Sequence, residues 1–267
     1  MNNEQLKQKL LLLRNDLPDF TLIMSGKKSK KVDGLYKPDT KEIIIHNKNH
    51  ESDNELIYTA IHEFAHHIQF SENPLQKTAR AHNARFQEIF HRLLFIAEEK
   101  NIFTSIFKSD REFIELTRNI KDNYLTKHGN LMIEFGGLLM QAMKLCEDKK
   151  VSFEDYLSRE LLLNKSEAKN IIKVSKVPVN PSIGYENMLV LANLKDDKKR
   201  NEIEKVLLEN KATPEMIKAE IKNTNPPKDE LELLLNEKTR LEKTIKNLEN
   251  NLADISERIK KIKHKEK

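Results

Sequence analysis

Residues 60–70, AIHEFAHHIQF, constrain the fold more than any other stretch of the chain. Ala60, Ile61, Phe64, Ala65 and Ile68 leave little of a helix polar, so a helix here has to lie between a sheet and a second helix. Burying Glu63 in such a place without a compensating cation is costly. Residues four apart project from one helical face with Cβ atoms about 5 to 6 Å apart, so His62 and His66 converge as two imidazoles must to share one metal ion. Glu63 lies about 100° further round the helix, poorly placed to ligate that ion but within reach of water at it. This is the general-base position of a His-Glu-x-x-His hydrolase. Zinc lowers the pKa of such a water to about 7, so Glu63 can take a proton near neutral pH and return it to a leaving amine.

The flanks supply the layers that the helix needs. Leu6, Leu10, Leu13 and Leu17 fall at helical spacing ahead of Pro18, which predicts an amphipathic helix over residues 1–17. Three β-rich runs follow, Phe20 to Met24, Val32 to Tyr36 and Glu42 to His46. Turn-forming stretches such as Pro38-Asp39 separate them, and the set is expected to be a small sheet of hairpins. A helix from Asp53 to about Phe70 and another from about Thr78 to Lys100 complete an α+β unit.

A catalytic zinc takes a third protein ligand and keeps one position open. His46, His50, His62, His66, His67, His82 and His91 are seven of the chain's nine histidines, so the chemistry concentrates in the first third. In AHNARFQEIFHRLL, His82, Phe86, Ile89 and Leu93 form one apolar-facing stripe, which aims His82 inward as the third ligand. Glu88 and His91 lie off that stripe and His67 is turned about 100° from His66, so these three are expected at the surface or behind the ligands. His46 and His50 are expected to be ordinary structural histidines.

The succession KEIIIHNK, IHEFAHHI, AHNARFQEIF over residues 15–105 resembles the SprT-like zinc metallopeptidases, whose pattern is His-Glu-x-x-His followed by His-Gly-x-x-aromatic. The resemblance implies a minigluzincin-like fold with zinc (Zn2+) held by His62, His66 and His82, Glu63 as base, and DNA-associated proteins as substrates. The chain departs from the pattern in two places. Asn83 stands where glycine is usual, a residue that also adopts turn-like conformations, and a single cysteine, Cys146, excludes the Cys₄ ribbon that often follows the family core.

Beyond the expected peptidase domain (1–107) and a helical connector (108–129) ending at Gly129, residues 130–224 read as an all-α domain. Start signals recur there, among them Ser152 with Asp155 and Thr213-Pro214-Glu215. VSFEDYLSRELLLNKSEAKNIIKVSKV has the outline of a helix-turn-helix, loosely similar to ParB-like and phage-type modules. Its second helix would offer Lys165, Ser166, Lys169, Asn170, Lys173 and Lys176 to DNA and pack through Ala168, Ile171, Ile172 and Val174. The loop SGKKSKKVDG adds four lysines beside the expected sheet, either a phosphate contact or a solvated hairpin. After Asn225-Pro226-Pro227, residues 228–265 carry apolar residues at heptad positions from Leu231 to Ile262, with Lys238 the polar exception. This pattern is that of a coiled coil, expected to pair antiparallel in a homodimer, with folding back onto the body of the protein as the alternative.

A net charge of +5 is compatible with nucleic acid without requiring it. No apolar run is long enough to span a membrane and no signal-peptide pattern opens the chain, so a cytoplasmic location is expected. Two rival functions stand beside a peptidase acting on DNA-associated proteins. One is a regulatory protease similar to the ImmA/IrrE group, cleaving a repressor. The other is a non-catalytic, coiled-coil-dimerised DNA-binding protein with a structural zinc site.

Overall fold

Asn2 opens the first helix with a reciprocal cap. Its side-chain oxygen accepts from the Gln5 N–H at 2.9 Å, and its own N–H donates to Gln5 Oε1 at 2.9 Å. Helix α1 (Asn3–Leu13) then buries Leu6, Leu10 and Leu13. The computed structural model describes residues 1–74, 81–223 and 230–265, so the helix start expected near Thr78 and the Asn225-Pro226-Pro227 break lie outside the described residues.

The strands β1 (Thr21–Met24), β2 (Gly34–Lys37) and β3 (Glu42–Ile45) form one sheet in the order β1-β3-β2. It is not the series of hairpins that the sequence suggests. β2 and β3 do make a hairpin, Gly34 opposite Ile45 and Lys37 opposite Glu42, but β1 runs parallel to β3 on its other edge. The reason lies in β3 itself: its Ile-Ile-Ile run suits a central strand with both edges paired, and Ile43 and Ile45 are fully buried. Residues 25–33 make the crossover and are fastened rather than loose. Asn47 Oδ1 accepts from Gly26 N–H at 2.8 Å, and Asn49 Oδ1 accepts from Ser29 N–H at 2.9 Å. Asn49 Nδ2 donates to Ser29 O and Asp33 Oδ1, each at 2.7 Å.

Across the buried face of this sheet lies α2 (Asp53–Glu72), capped by Ser52, with α3 (Ala84–Glu99) on its far side. Ala60, Ile61, Phe64, Ala65 and Ile68 are completely buried between them, as a helix without a polar face requires. Phe86, Ile89 and Leu93 close the core from α3.

The chain continues through α4 (Ile106–Ser109), α5 (Arg111–Ile120), a π-helical turn (Lys121–Leu125) and α6 (Thr126–Asp148). Gly129 does not end a segment. It lies inside α6 where the helix meets Pro181, whose Cβ would stand 2.8 Å from a Cβ on residue 129. Next come α7 (Phe153–Arg159) and α8 (Lys165–Ser175), capped by Ser152 and Asn164. After a 3₁₀ turn at Pro181–Ile183 follow α9 (Tyr185–Ala192), α10 (Asp197–Leu208) and α11 (Pro214–Asn223). Leu139, Leu157, Ala168 and Ile171 share a small second core in which α6 crosses α8.

Two adjacent glycines make that crossing testable. A Cβ on Gly136 would fall 2.8 Å from the Ile171 carbonyl oxygen, whereas one on Gly137 meets nothing within 4 Å. Gly136→Ala is expected to destabilise the protein by about 1–3 kcal/mol through overpacking, and Gly137→Ala to stabilise it by up to about 1 kcal/mol through helix propensity. Denaturant midpoints of the two variants should therefore move in opposite directions; a shared direction would mean that α6 does not approach α8 at residue 136.

By internal contacts the chain divides into two compact units, Met1–Ala219 and Glu220–Lys267. The second contains α12 (Glu230–Lys265), on which Leu241, Ile245, Leu248, Leu252, Ile255 and Ile259 are all exposed. The described residues are thus mostly helical with one small three-stranded sheet, of α+β class. Among the described residues no helix is long and apolar enough to cross a membrane.

Candidate metal centre

His62 and His66 stand one turn apart on α2, and His82 reaches them from the segment before α3. His82 Nε2 lies 3.1 Å from His62 Nε2 and 3.0 Å from His66 Nε2. The three ligand atoms all lie within 4.8 Å of one another, so the group can hold a metal ion. Phe86 forms the wall behind them. It stacks on His66 with ring centroids 4.3 Å apart and meets His62 and His82 edge-on at 4.9 and 4.8 Å. Burial, reinforced by the neighbouring imidazoles, pushes the pKa of His62 down to about 4 and that of His66 to about 3. Both are therefore neutral, and available as ligands, across the physiological range.

His82 joins this group, but not by way of the inward stripe on α3. The residue is exposed and precedes the helix, whose N-cap is Asn83. Asn83 has extended backbone angles, φ −88° and ψ −178°, and its Oδ1 accepts from Phe86 N–H at 3.0 Å. Asparagine at this position thus serves as a helix cap and not as a left-handed turn residue.

Glu63 is 6% exposed and faces β2. A Cβ on Gly34 would lie 2.7 Å from Glu63 Cγ and 2.9 Å from Thr59 Cγ2, so only glycine lets the strand and the carboxyl lie this close. Burial raises the pKa of Glu63 to about 7, opposed by a hydrogen bond from the Tyr36 N–H. The carboxyl opens onto a cleft of ≈ 470 Å³ whose walls include Gly34, Leu35 and Tyr36 of β2, Thr59 and all three histidines.

Five other residues sit differently from expectation or apart from the site. His67 is not at the surface but 0% exposed, with Nε2 donating to Pro18 O at 2.9 Å and Nδ1 3.1 Å from the Tyr36 hydroxyl. It pins α2 to the sheet, because a helix buried all round turns its 100° neighbour into the core instead of toward solvent. Glu88 is likewise 3% exposed, held by Arg85 and Arg92. His91 contacts Thr213 Oγ1 at 3.3 Å. His46, bonded to Ser25 Oγ at 3.0 Å, and His50 stay outside the triad.

On α8 and its C-cap, Lys165, Ser166, Lys169, Lys173 and Lys176 are exposed and Asn170 is half-buried, while Ala168, Ile171 and Val174 face the core. Lys165 pairs with Glu154, and Lys173 Nζ donates to Asn193 Oδ1 at 2.6 Å. Lys27, Lys28, Lys30 and Lys31 are exposed on the fastened crossover near the cleft. Compared with protein-family models, curated proteins and solved structures, the chain matches none.

Proposed function

We propose that the protein is a zinc-dependent metallopeptidase acting on DNA-associated proteins. The observation that carries this reading is the meeting of three imidazole Nε2 atoms, 3.0–3.1 Å apart at His82, beside the buried carboxyl of Glu63. Tetrahedral zinc with Zn–N bonds of about 2.0–2.1 Å sets its ligand nitrogens about 3.3–3.4 Å apart, a few tenths of an ångström from this spacing. Three protein ligands with an open fourth position fit a catalytic site better than a structural one. A structural site also gains nothing from an acid held beside it. When bound, zinc supplies a Lewis acid that acidifies water and polarises a carbonyl.

The chain's own residues do the rest. Glu63, near pH 7 in its titration, accepts the proton of an attacking water and delivers it to the leaving nitrogen. Tyr36 N–H holds that carboxyl in place. β2 is an edge of the sheet and lines the cleft, so its outer backbone groups offer an extended peptide a strand to pair with. The similarity to SprT-like peptidases supports protein substrates bound to DNA. The lysines of α8 and of the crossover loop provide the phosphate contacts, and the exposed heptad face of α12 provides the seam of a homodimer.

The test is digestion of a basic DNA-binding protein by the zinc-loaded chain, with and without DNA and with a chelator. Cleavage that requires zinc and rises when DNA is added is the expected result. Zinc-dependent cleavage indifferent to DNA would remove the DNA-directed half of the reading, and a zinc-loaded protein that cuts no substrate would remove the peptidase.

A further inference from the structure

We propose that Gln69 and Asn83 form a positioning relay that locks the His66 imidazole and the His82 segment into one register for the metal. This rests on reading the histidine triad as a metal centre. Gln69 follows His66 by three residues on α2, on the same side of the helix, and is 1% exposed. Its Nε2 donates to Asn83 Oδ1 at 2.8 Å, and the same oxygen accepts from Phe86 N–H at 3.0 Å. Because Asn83 Oδ1 faces a backbone donor, it must be the acceptor, and this orients the Gln69 amide. Its Nε2 points to the His82 segment, and Oε1 is left for something else.

That remaining oxygen and His66 Nδ1 are both buried and lack a well-aligned hydrogen-bond partner. They are complementary. His66 presents Nε2 to the triad, so in the metal-ligating tautomer Nδ1 carries the hydrogen, and Gln69 Oε1, three residues along the same helix face and itself unpaired, is the acceptor assigned to it. Metal-bound histidines characteristically donate their second N–H in this way, and the acceptor sets ring orientation and ligand basicity. Here the acceptor is itself tied across to the residue next to His82. A single amide therefore couples one ligand on a rigid helix to another on a loop, and asparagine at position 83 acquires a task that a glycine cannot perform.

The relay is tested with the full chain by titrating Co(II), reading its ligand-field spectrum, and by measuring zinc affinity against a competing chelator. Gln69→Met, close in shape but without the amide, is expected to weaken zinc about 10- to 100-fold and to alter the Co(II) spectrum, with little change in the melting of the metal-free protein. Asn83→Ser keeps a helix cap but is too short to hold Gln69, and should show the same loss. Asn83→Asp keeps the accepting oxygen and should restore parental affinity and spectrum. Should Gln69→Met fail to fold, the two Asn83 variants decide. Parental affinity and an unchanged spectrum in both Gln69→Met and Asn83→Ser would overturn the relay while leaving the metal centre standing. A parent protein that binds neither metal would overturn both.

Discussion

Glu63→Gln is expected to lower peptide hydrolysis by about 100- to 10,000-fold, the range that general acid–base catalysis contributes, and to leave zinc binding intact. The carboxyl stands beside the three imidazoles without belonging to the group that converges on the metal. The same substitution carries a second, independent signature in the metal-free protein. Glu63 titrates near 7 in the folded state and at its ordinary value of 4.5 when unfolded. Between those values the folded protein binds more protons, so its stability falls as pH rises through that window and the loss is complete above pH 7. At 1.36 kcal/mol per unit the loss approaches about 3 kcal/mol. Glutamine cannot ionise, so the variant should be the more stable protein at pH 8, with the gap closing toward pH 4.5. Denaturant unfolding at the two pH values measures this directly. Parental turnover in Glu63→Gln would remove the residue from catalysis, and a gap independent of pH would mean that the carboxyl is not buried as described.

His82→Ala should produce the largest loss of metal affinity for the smallest loss of fold. His62 and His66 lie within the helix at the centre of the core, so changes there disturb packing as well as ligation. His82 is exposed and precedes α3, and the cap at Asn83 survives its removal. Exposed substitutions away from special features alter stability by no more than about 0.5 kcal/mol. Losing one ligand of three should nevertheless weaken zinc by well over 100-fold, beyond what loss of a supporting hydrogen bond produces. Chelator competition and thermal melting, measured on the same sample, separate the two effects. If zinc stays as tight as in the parent, the third ligand lies elsewhere; if the protein unfolds, His82 is a structural residue.

The depressed histidines act on the opposite side of the pH scale. His62 and His66 titrate near 4 and 3 when folded, against 6.5 unfolded, so the unfolded chain binds the extra protons and stability is lost as pH falls below 6.5. Two histidines outweigh one carboxyl below pH 6.5, and above it only the remaining Glu63 loss acts until pH 7, so the metal-free site is least unfavourable near pH 6.5. A buried cluster of this kind is stable over a wider range once a cation neutralises the acid and excludes protons from the imidazoles.

Much of this was readable from local sequence. The i, i+4 spacing of His62 and His66, the position of Glu63 between them, and the apolar flanks that require a doubly covered helix depend only on helical geometry and burial, which act over a turn or two. The stripe of α1, the cap at Ser152 and the core face of α8 are local in the same sense. Other features depended on which distant surfaces met. β3 became central because its isoleucine run is the best-buried strand, and β1 crossed over to reach it; no turn signal encodes a parallel partner. Gly34 is required because Glu63 lies beneath it, and His67 is a buried brace because Tyr36 and Pro18 happen to face it. His82 belongs to the triad through a loop held by the Asn83 cap and its bond to Gln69, not through helical periodicity. The sequence alone thus determined which residues can ligate and ionise, because backbone geometry sets their spacing; the tertiary structure decided which of them meet and at what protonation, because burial and contact between distant segments arise only when the layers pack.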